Sequence, residues 1–325
     1  MSKFDPYDHL NIKMNPDGTV TRLLKFPSVD TNSDLNSGDA VATKDVTLDA
    51  QKGTSLRIYL PTKFNSNNDS KVAVDRSKTL PIIVFFQGCS WVLFGAKYFK
   101  LHLSLCYQAC NVPVIIVLVD YRLAPENRLP AQYEDAMDAL LWLKSQALDP
   151  NGEPWLKKHA DFTRCFLYGS DNGGNIVFNA ALRAVDIDLN PLKIVGLIMN
   201  QPLFGGKQRS KSELNFATDQ VLPLPVLDLL WELALPKGTD RDHRYCNPMC
   251  EGPHMNKLSS FQRRLVFGFG MDPLIDRQQE FVQMLVTHGV QVEAHFDEVG
   301  FHGIDIVDNR RAIALHNIIK QFICG

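Results

Sequence analysis

Five unbroken apolar runs constrain the fold of this 325-residue chain more than any other feature of its sequence. They are LPIIVFF (80–86), VPVIIVLVDY (112–121), RCFLYG (164–169), KIVGLIMNQ (193–201) and RRLVFGFG (263–270). A strand that is buried on both faces reads as a continuous apolar run, because neither face of its sheet meets water. Such runs are typical of parallel sheets, so the sequence predicts a sheet that is covered on both sides.

The segments between these runs have helical periodicity. Residues 131–147 place apolar side chains at helical spacing, residues 173–185 begin a second helix, and residues 277–289 begin a third. Strands that alternate with helices are typical of a doubly wound sheet, because each helix returns the chain to the start of the next parallel strand. We therefore predict an α/β fold with a mostly parallel sheet.

The first part of the chain reads differently. Residues 1–40 are polar, with an amphipathic stretch beginning at Tyr7 and running to Met14, and we interpret them as a mobile arm or part of a lid. Residues 44–60 alternate apolar and polar side chains on either side of a glycine, which predicts a hairpin. Residues 64–78 have the composition of a surface loop.

Residues 205–255 interrupt the alternation of strands and helices. They contain a predicted helix from Pro225 to Leu235 and much loop. In a fold of sheet and helices, an insertion of this size covers the ligand crevice at the carboxyl ends of the strands. We therefore expect one domain over residues 1–325, in which 1–40 and 205–255 together form a small cap.

Charge and hydropathy exclude several classes of partner. Lys and Arg number 34 and Asp and Glu 36, a net charge of −2 without a long basic run, so we expect no nucleic-acid partner. No run approaches the roughly 18 apolar residues of a membrane span. The first ten residues, MSKFDPYDHL, lack the apolar core of a secretory signal, which leads us to expect a cytoplasmic or nuclear protein.

The seven cysteines do not predict a disulfide framework or a metal centre. Their number is odd and several lie in apolar runs, which favours buried, reduced thiols. Cys246 and Cys250, together with His243 and His254, have some resemblance to a metal cluster, but the spacing lacks a second cysteine pair. We expect no metal ion, and no nucleotide or flavin motif is evident, so no cofactor is predicted.

The stretch LYGSDNGGNI (167–176) joins a predicted strand to a predicted helix and has the form of a nucleophile turn. In the pattern G-x-S-x-G, a tight turn lifts the central side chain above the sheet, at the amino end of a helix. Here Gly169 and Gly173 are in place, but the central residue is Asp171, and Ser170 lies one position early. An aspartate that caps an unrelated helix is the simpler alternative.

Two later residues complete a catalytic order. In this kind of site the nucleophile is followed along the chain by an acid and then by a histidine. Asp272 follows a predicted strand, and His302 lies in the glycine-flanked loop EVGFHGIDI. His302 is one of nine histidines, and its position after Asp272 distinguishes it from the others. The sequence therefore predicts a triad of Asp171, Asp272 and His302.

Taken together, these stretches resemble the plant carboxylesterase family, in the hormone-sensitive-lipase-like branch of the α/β-hydrolases. The matching blocks are FFQGCSWVLFGA (85–96), VDYRLAPENRLPAQYEDA (119–136), YGSDNGGNI (168–176), GMDPLID (270–276) and GFHG (300–303). They occur in the family's order, and the resemblance covers nearly the whole chain, from about residue 5 to its end. The resemblance implies the α/β-hydrolase fold, with about eight strands and a small helical cap, and a Ser–Asp–His triad. It matches Asp272 and His302 to the acid and the base, and it makes YRLAPE (121–126) a structural block.

The sequence departs from the family at two catalytic blocks. Asp171 stands where the family has its serine, and Gln87-Gly88-Cys89-Ser90-Trp91 stands where the family has the oxyanion loop HGGGF. Oxyanion donors are backbone N–H groups, so Gly88, Cys89 and Asn172 remain candidates for that role. A carboxylate that attacks an ester carbonyl forms a mixed anhydride, a poor route compared with an activated serine. We therefore expect weak or absent esterase activity.

Four activities remain open. The first is acid–base catalysis by the coupled Asp171–His302 pair in an elimination, isomerisation or cyclisation, a direction that the resemblance supports because some relatives are dehydratases or cyclases. The second is attack by Asp171 on an sp3 carbon, as in epoxide hydrolases and haloalkane dehalogenases. The third is ligand binding without catalysis, because the gibberellin receptors resemble this family. The fourth is residual hydrolysis by a water that His302 activates.

The expected ligand is a small apolar or amphipathic metabolite of plant specialised metabolism. Large apolar residues near the predicted strand ends and in the cap suggest an apolar pocket, although core packing explains each of them equally well. These residues are Trp91, Phe94, Phe204, Leu222, Leu224 and Trp231. From these and the two catalytic blocks, we predict that the ligand is contacted by Gln87, Ser90, Trp91, Ser170 and Trp231.

Overall fold

A computed structural model describes residues 4–65, 71–73, 79–260 and 263–325. Its centre is an eight-stranded sheet of order β12-β11-β10-β9-β7-β8-β4-β3, in which β3 and β4 are antiparallel to their neighbours and the other strands run parallel. The strands are β1 Ile12–Met14, β2 Val20–Arg22, β3 Val41–Asp49, β4 Thr54–Pro61, β5 Lys63–Asn65, β6 Lys71–Ala73, β7 Leu80–Phe86, β8 Ile115–Asp120, β9 Ala160–Ser170, β10 Ile194–Asn200, β11 Arg263–Phe269 and β12 Val292–Asp297. The α/β-hydrolase fold class predicted from the sequence is confirmed.

The five apolar runs form the centre of this sheet, and helices cover both of its faces. The helices are α1 Pro6–Leu10, α2 Phe99–Asn111, α3 Ala131–Leu148, α4 Pro154–His159, α5 Asn172–Ala184, α6 Lys211–Asn215, α7 Leu224–Ala234, α8 Ile275–Thr287, α9 Ile304–Val307 and α10 Asn309–Cys324, with a 3-10 helix at Pro253–Ser260. Along β7, Ile82 and Val84 enter the core on the side of α3, α5 and α8, whereas Ile83 and Phe85 enter the core under α2 and α10. Burial on both faces explains why these strands lack alternation.

The periphery of the sheet shows where the sequence predictions hold and where they differ. The predicted hairpin at 44–60 is the β3–β4 pair. Strand β12 was not predicted, because Val292–Asp297 lies at the edge, is only partly buried and reads as polar. The predicted loop at 64–78 includes the short antiparallel pair of β5 and β6, while 66–70 and 74–78 lie outside the described residues.

The amino-terminal arm is a short helix and a hairpin, in place of an amphipathic stretch from Tyr7 to Met14. Helix α1 stops at Leu10 because Asn11 adopts a left-handed conformation with φ 51°, and β1 and β2 then pair. Helix α1 contacts α7. Helix α7 is the predicted cap helix, and each of its ends lies one residue earlier than predicted. Arg22 donates to the Ala124 carbonyl oxygen at 2.8 Å and pairs with Glu126 at 2.9 Å, so the arm is tied to the YRLAPE block.

Among the helices of the described residues, none combines the length and the hydropathy needed to cross a membrane. The longest, Ala131–Leu148, is interrupted by charged residues such as Asp135, Asp138 and Lys144.

Candidate active site

The turn between β9 and α5 lifts Asp171 above the carboxyl edge of the sheet. Asp171 has φ 53° and ψ −124°, a conformation that non-glycine residues rarely adopt. Its N–H donates to the Asn200 carbonyl oxygen at 2.9 Å. A Cβ on Gly169 would overlap the Gly173 carbonyl, and a Cβ on Gly173 would overlap the Phe86 carbonyl. The two glycines therefore permit the close approach that keeps the turn tight.

The two oxygens of the Asp171 carboxylate have different surroundings. Oδ2 accepts from the Ser90 backbone N–H at 3.0 Å and from the Ser90 hydroxyl at 3.1 Å. Oδ1 is buried, has no hydrogen bond to any described residue, and lies 3.6 Å from His302 Nε2. Oδ2 therefore accepts two hydrogen bonds, whereas Oδ1 accepts none from the described residues and faces the imidazole.

Asp272 holds the other side of the imidazole. His302 Nδ1 lies 2.9 Å from Asp272 Oδ2, and that oxygen also accepts from Gln278 Nε2 at 3.1 Å. Asp272 Oδ1 accepts from the Leu274 N–H at 2.9 Å. The carboxylate of Asp272 is fully buried, so these donors replace the water that it loses on folding. The structure thus brings together the three residues predicted as a triad.

The charge state of His302 follows from its position between two carboxylates. Burial by itself would lower the pKa of His302, but the charge and hydrogen bond of Asp272, together with the nearby charge of Asp171, outweigh it and raise the pKa well above its ordinary value. We therefore expect an imidazolium at neutral pH. A charged imidazole is a proton donor, and it becomes a base only after the charge of a neighbouring carboxylate is lost.

The oxyanion loop differs from the sequence prediction in the use of its N–H groups. The Cys89 N–H, predicted as a free donor, donates to Asn172 Oδ1 at 2.8 Å, and the Ser90 N–H is engaged by Asp171. Tyr121 stabilises this arrangement, because its hydroxyl donates to the Gln87 carbonyl oxygen at 2.7 Å and accepts from Asn172 Nδ2 at 3.0 Å.

Gly88 brings the loop close to the turn. A Cβ at Gly88 would lie 2.9 Å from Asp171 Cβ and 2.9 Å from the Ser170 carbonyl oxygen. Burial raises the pKa of the Cys89 thiol to about 11, so this cysteine stays protonated and is no nucleophile. The loop contributes backbone geometry and one N–H to the site.

Several residues predicted to contact a ligand are packed in the core. Gln87 is fully buried and donates to the Phe94 carbonyl oxygen at 2.8 Å. Trp91 is fully buried, with its ring centroid 6.1 Å from that of Trp231. Phe204 stacks on a neighbouring ring at 4.5 Å. The large apolar side chains that were expected to line a pocket are thus packed against other core residues.

The remaining predicted residues and cavities lie around this centre. Ser170 is partly buried, and its hydroxyl oxygen accepts from Asn200 Nδ2 at 3.4 Å. Two cavities have volumes of about 450 and 480 Å³. Neither is lined by Asp171, Asp272 or His302; the first adjoins α2, and the second lies by the carboxyl end of α5.

The cysteine and histidine residues that suggested a metal cluster make other contacts. His254 Nε2 is 2.7 Å from the Pro248 carbonyl oxygen, His243 Nδ1 accepts from the Tyr245 N–H at 3.2 Å, and Cys246 is buried. No group of three potential ligands comes together in the part of the chain that the structure describes.

Two functional features were missed by sequence reasoning. Ser90 was predicted to contact ligand, whereas it holds Asp171 through both its N–H and its hydroxyl. Asp305 was not singled out; its carboxylate is bound by the side-chain amides of Asn200 and Gln201. The position of Asn200 and Gln201 at the carboxyl end of a parallel strand was the available signal, because ligand crevices form at that edge.

Comparison with known proteins agrees with this fold. Residues 83–306 match a family model described as the alpha/beta hydrolase fold. The chain is 52% identical over 321 residues to Probable carboxylesterase 9 of Arabidopsis thaliana, which covers 98% of this chain and 97% of the relative. It is 44% identical over 326 residues to 3-O-acetylpapaveroxine carboxylesterase CXE2 of Papaver somniferum, with 98% and 99% covered.

A third relative is the gibberellin receptor GID1C of Arabidopsis thaliana, 32% identical over 307 residues, with 92% of this chain and 85% of the receptor covered. Among solved structures, carboxyl esterase 2 of Tuber melanosporum superposes with a TM-score of 0.72 at 19% identity over 89% of this chain and 87% of that one, a likeness of fold alone. The chain belongs to the plant carboxylesterase family of α/β-hydrolases. Its relatives there are mostly carboxylesterases, with a hormone receptor among them.

Proposed function

We propose that this protein is an enzyme that moves protons with the Asp171–His302 pair, in an elimination, isomerisation or cyclisation of a small apolar or amphipathic metabolite. One observation carries the proposal: Asp171 Oδ1 lacks a hydrogen bond among the described residues and faces His302 Nε2 at 3.6 Å. A base atom and an acid atom thus lie side by side at the edge of the sheet where this fold class binds its ligands.

The proposed roles follow from the two charge states. Asp171 Oδ1 accepts a proton from a substrate carbon or heteroatom, while His302 Nε2–H donates one to the departing or rearranging group. Asp272 keeps Nδ1–H engaged at 2.9 Å, which orients the ring and stabilises its charge.

Weak or absent ester hydrolysis is part of the proposal. Attack on an ester carbonyl requires a good nucleophile at the turn and free N–H donors for the oxyanion. Asp171 is a poor nucleophile for that carbon, and its own Oδ2 engages the Ser90 N–H at 3.0 Å. The carboxylate of the protein thus occupies a donor that an ester's oxyanion would need.

The same geometry favours a second candidate, in which Asp171 attacks an sp3 carbon. Oδ2 rests on Ser90 while Oδ1 is open, so Oδ1 can form a C–O bond as the leaving group departs with its electron pair. The ester that forms removes the charge of Asp171, which lowers the pKa of His302 toward its ordinary value. His302 gives its proton to the departing group or to solvent, and the neutral imidazole then accepts a proton from water that attacks the ester carbonyl carbon. The imidazolium returns this proton to the alkoxide, and the product leaves with the former Oδ1.

The experiment that separates these routes is incubation with a metabolite extract of the source organism in H2(18)O, followed by mass analysis of products and protein. Asp171→Asn and His302→Ala are run beside the native protein, with Glu298→Gln as a matched control, because Glu298 is exposed. A product that is isomeric with its precursor, or lighter by water or a small acid, and unlabelled supports proton-transfer chemistry. Heavy oxygen in Asp171 after one turnover supports the alkyl-ester route.

Two other results would overturn both candidates. If no compound is consumed but one co-purifies with the native protein, the protein binds a ligand without catalysis. If p-nitrophenyl acetate is turned over rapidly and this activity vanishes in His302→Ala, hydrolysis by a water that His302 activates is restored. The cytoplasmic location and the small-molecule partner remain predictions from the sequence.

A further inference from the structure

Asp305 lies one turn beyond His302 and points back to the carboxyl end of β10. Asn200 Nδ2 donates to Asp305 Oδ2 at 3.1 Å, and Gln201 Nε2 donates to Asp305 Oδ1 at 3.0 Å. Each carboxylate oxygen therefore has one side-chain amide. Asp305 is not the residue that caps α9, because Gly303 stands at that position, so helix capping does not explain the arrangement.

The same two residues reach both halves of the candidate site. The Asn200 carbonyl oxygen accepts the Asp171 N–H at 2.9 Å, and Gln201 Oε1 accepts the Gly303 N–H at 2.8 Å. Gln201 has a left-handed backbone conformation with φ 49°, and its N–H donates to the Phe267 carbonyl oxygen at 2.9 Å. A closed set of hydrogen bonds thus connects the Asp171 turn to the loop that carries His302.

We infer that Asp305 is a positioning residue which, through the amides of Asn200 and Gln201, holds the His302 loop against the Asp171 turn and so sets the separation of Asp171 Oδ1 and His302 Nε2. This inference rests on the proposed role of that pair in proton transfer. In this role the carboxyl end of β10 and the four-residue helix α9 keep Asp171 and His302 adjacent.

Charge adds to the geometric role. Two carboxylates lie beside His302, Asp171 from the turn after β9 and Asp272 from the loop after β11, and Asp305 of α9 interacts with its charge. Burial raises the pKa of Asp305, and the positive charge of His302 opposes that rise. Removal of the Asp305 charge, or of its hold on the loop, acts in the same direction and lowers the pKa of His302.

The test compares Asp305→Asn with Glu298→Gln by NMR of selectively labelled histidine, with the full chain and without any substrate. An asparagine at 305 keeps one acceptor oxygen but turns its NH2 group toward a second amide donor, so one of the two hydrogen bonds is lost. We expect the pKa of His302 to fall by about 0.5 or more and its Nδ1 proton signal to move. Glu298→Gln changes the net charge equally in an exposed side chain and leaves both signals unchanged.

A second variant separates position from charge and guards against misfolding. Gln201→Met keeps the size of the side chain and the Asp305 charge but removes both amide contacts. A fall in the pKa of His302 in a folded Gln201→Met protein supports positioning. The inference is overturned if Gln201→Met leaves His302 as in the native protein, or if Asp305→Asn matches Glu298→Gln.

Failure of the proposed function has a different signature. Should the metabolite experiment find no reaction while both variants shift His302, the positioning role stands and the proton-transfer activity does not. Where a substrate is found, Asp305→Asn lowers kcat at least about tenfold with little change in KM, because the residue does not touch the ligand.

Discussion

Asp171 is a strained turn residue whose two carboxylate oxygens make different contacts. Its backbone is held at φ 53° by the turn, and its two oxygens are separated in function by Ser90 and His302. A serine at the same position would present a single neutral oxygen in place of two charged carboxylate oxygens. Substitution of Asp171 by serine would therefore change the side chain that faces His302 and remove the carboxylate oxygen that engages the Ser90 N–H.

The residue-scale prediction concerns Asp171→Ser. The hydroxyl would lie at the turn beside His302, which keeps its 2.9 Å contact with Asp272, and the Ser90 N–H would be released. We expect hydrolysis of p-nitrophenyl acetate to rise at least about 100-fold above the native protein, a small part of the roughly 10⁶-fold that loss of a triad serine costs. The measurement is steady-state turnover at neutral pH.

Asp171→Ala is its matched control, since it releases the same N–H without supplying a hydroxyl. Equal rates for the serine and alanine variants would show that the loop, with side chains at Cys89 and Ser90, no longer supports acyl transfer.

At the scale of the element, the β9–α5 turn and the loop after β7 depend on each other. Ser90 and Trp91 have φ values of 50° and 70°, which non-glycine residues rarely adopt. The loop keeps this shape because Ser90 binds Asp171 and Trp91 is buried. Cap helix α7 contributes Trp231 to the same contact. Backbone strain in the loop is thus balanced by packing and by the carboxylate of the turn.

The element-scale prediction compares two glycines. Gly169→Ala forces a Cβ into the Gly173 carbonyl, so we expect a loss of more than about 4 kcal/mol in the free energy of unfolding, or no folded protein. Gly18 lies in a turn with φ 85° and nothing within 4 Å of a new Cβ, so Gly18→Ala is expected to cost only about 1 to 2 kcal/mol. Urea denaturation followed by circular dichroism measures both, and similar losses would contradict the view that the turn is sterically closed.

At the scale of the whole molecule, the cap and the sheet share a core. Leu222, Leu230 and Trp231 of the cap region belong to the same buried cluster as Val84 and Val117 of the central strands. We therefore propose that residues 1–325 form one domain, because separation of the cap would expose apolar surface that the sheet now covers.

The molecular-scale prediction is that the chain unfolds in one cooperative transition. Differential scanning calorimetry should give a calorimetric enthalpy equal to the van't Hoff enthalpy. Trp231→Ala removes a buried ring, so it should cost about 3 to 5 kcal/mol and move the whole transition to lower temperature. Two resolved transitions, only one of which responds to Trp231→Ala, would show instead that the cap folds as a separate unit.

The sequence by itself determined the sheet, the turn and the order of the triad, because each depends on local signals. Apolar runs such as 80–86 specify strands buried on both faces, and Gly169 and Gly173 specify the close approach at Asp171. The edge strand at 292–297 escaped notice because it is only partly buried and lacks such a run.

Only the tertiary structure decided the chemistry of the site. The 3.6 Å between Asp171 and His302, the capture of Asp171 by Ser90, and the anchoring of Asp305 join residues that are 131, 81 and 105 positions apart. Sequence patterns report which face of a strand or helix is buried, but distances between remote side chains follow from how the whole sheet twists and packs. The same reason explains why Trp91 and Trp231 looked like pocket residues and proved to be packed against each other.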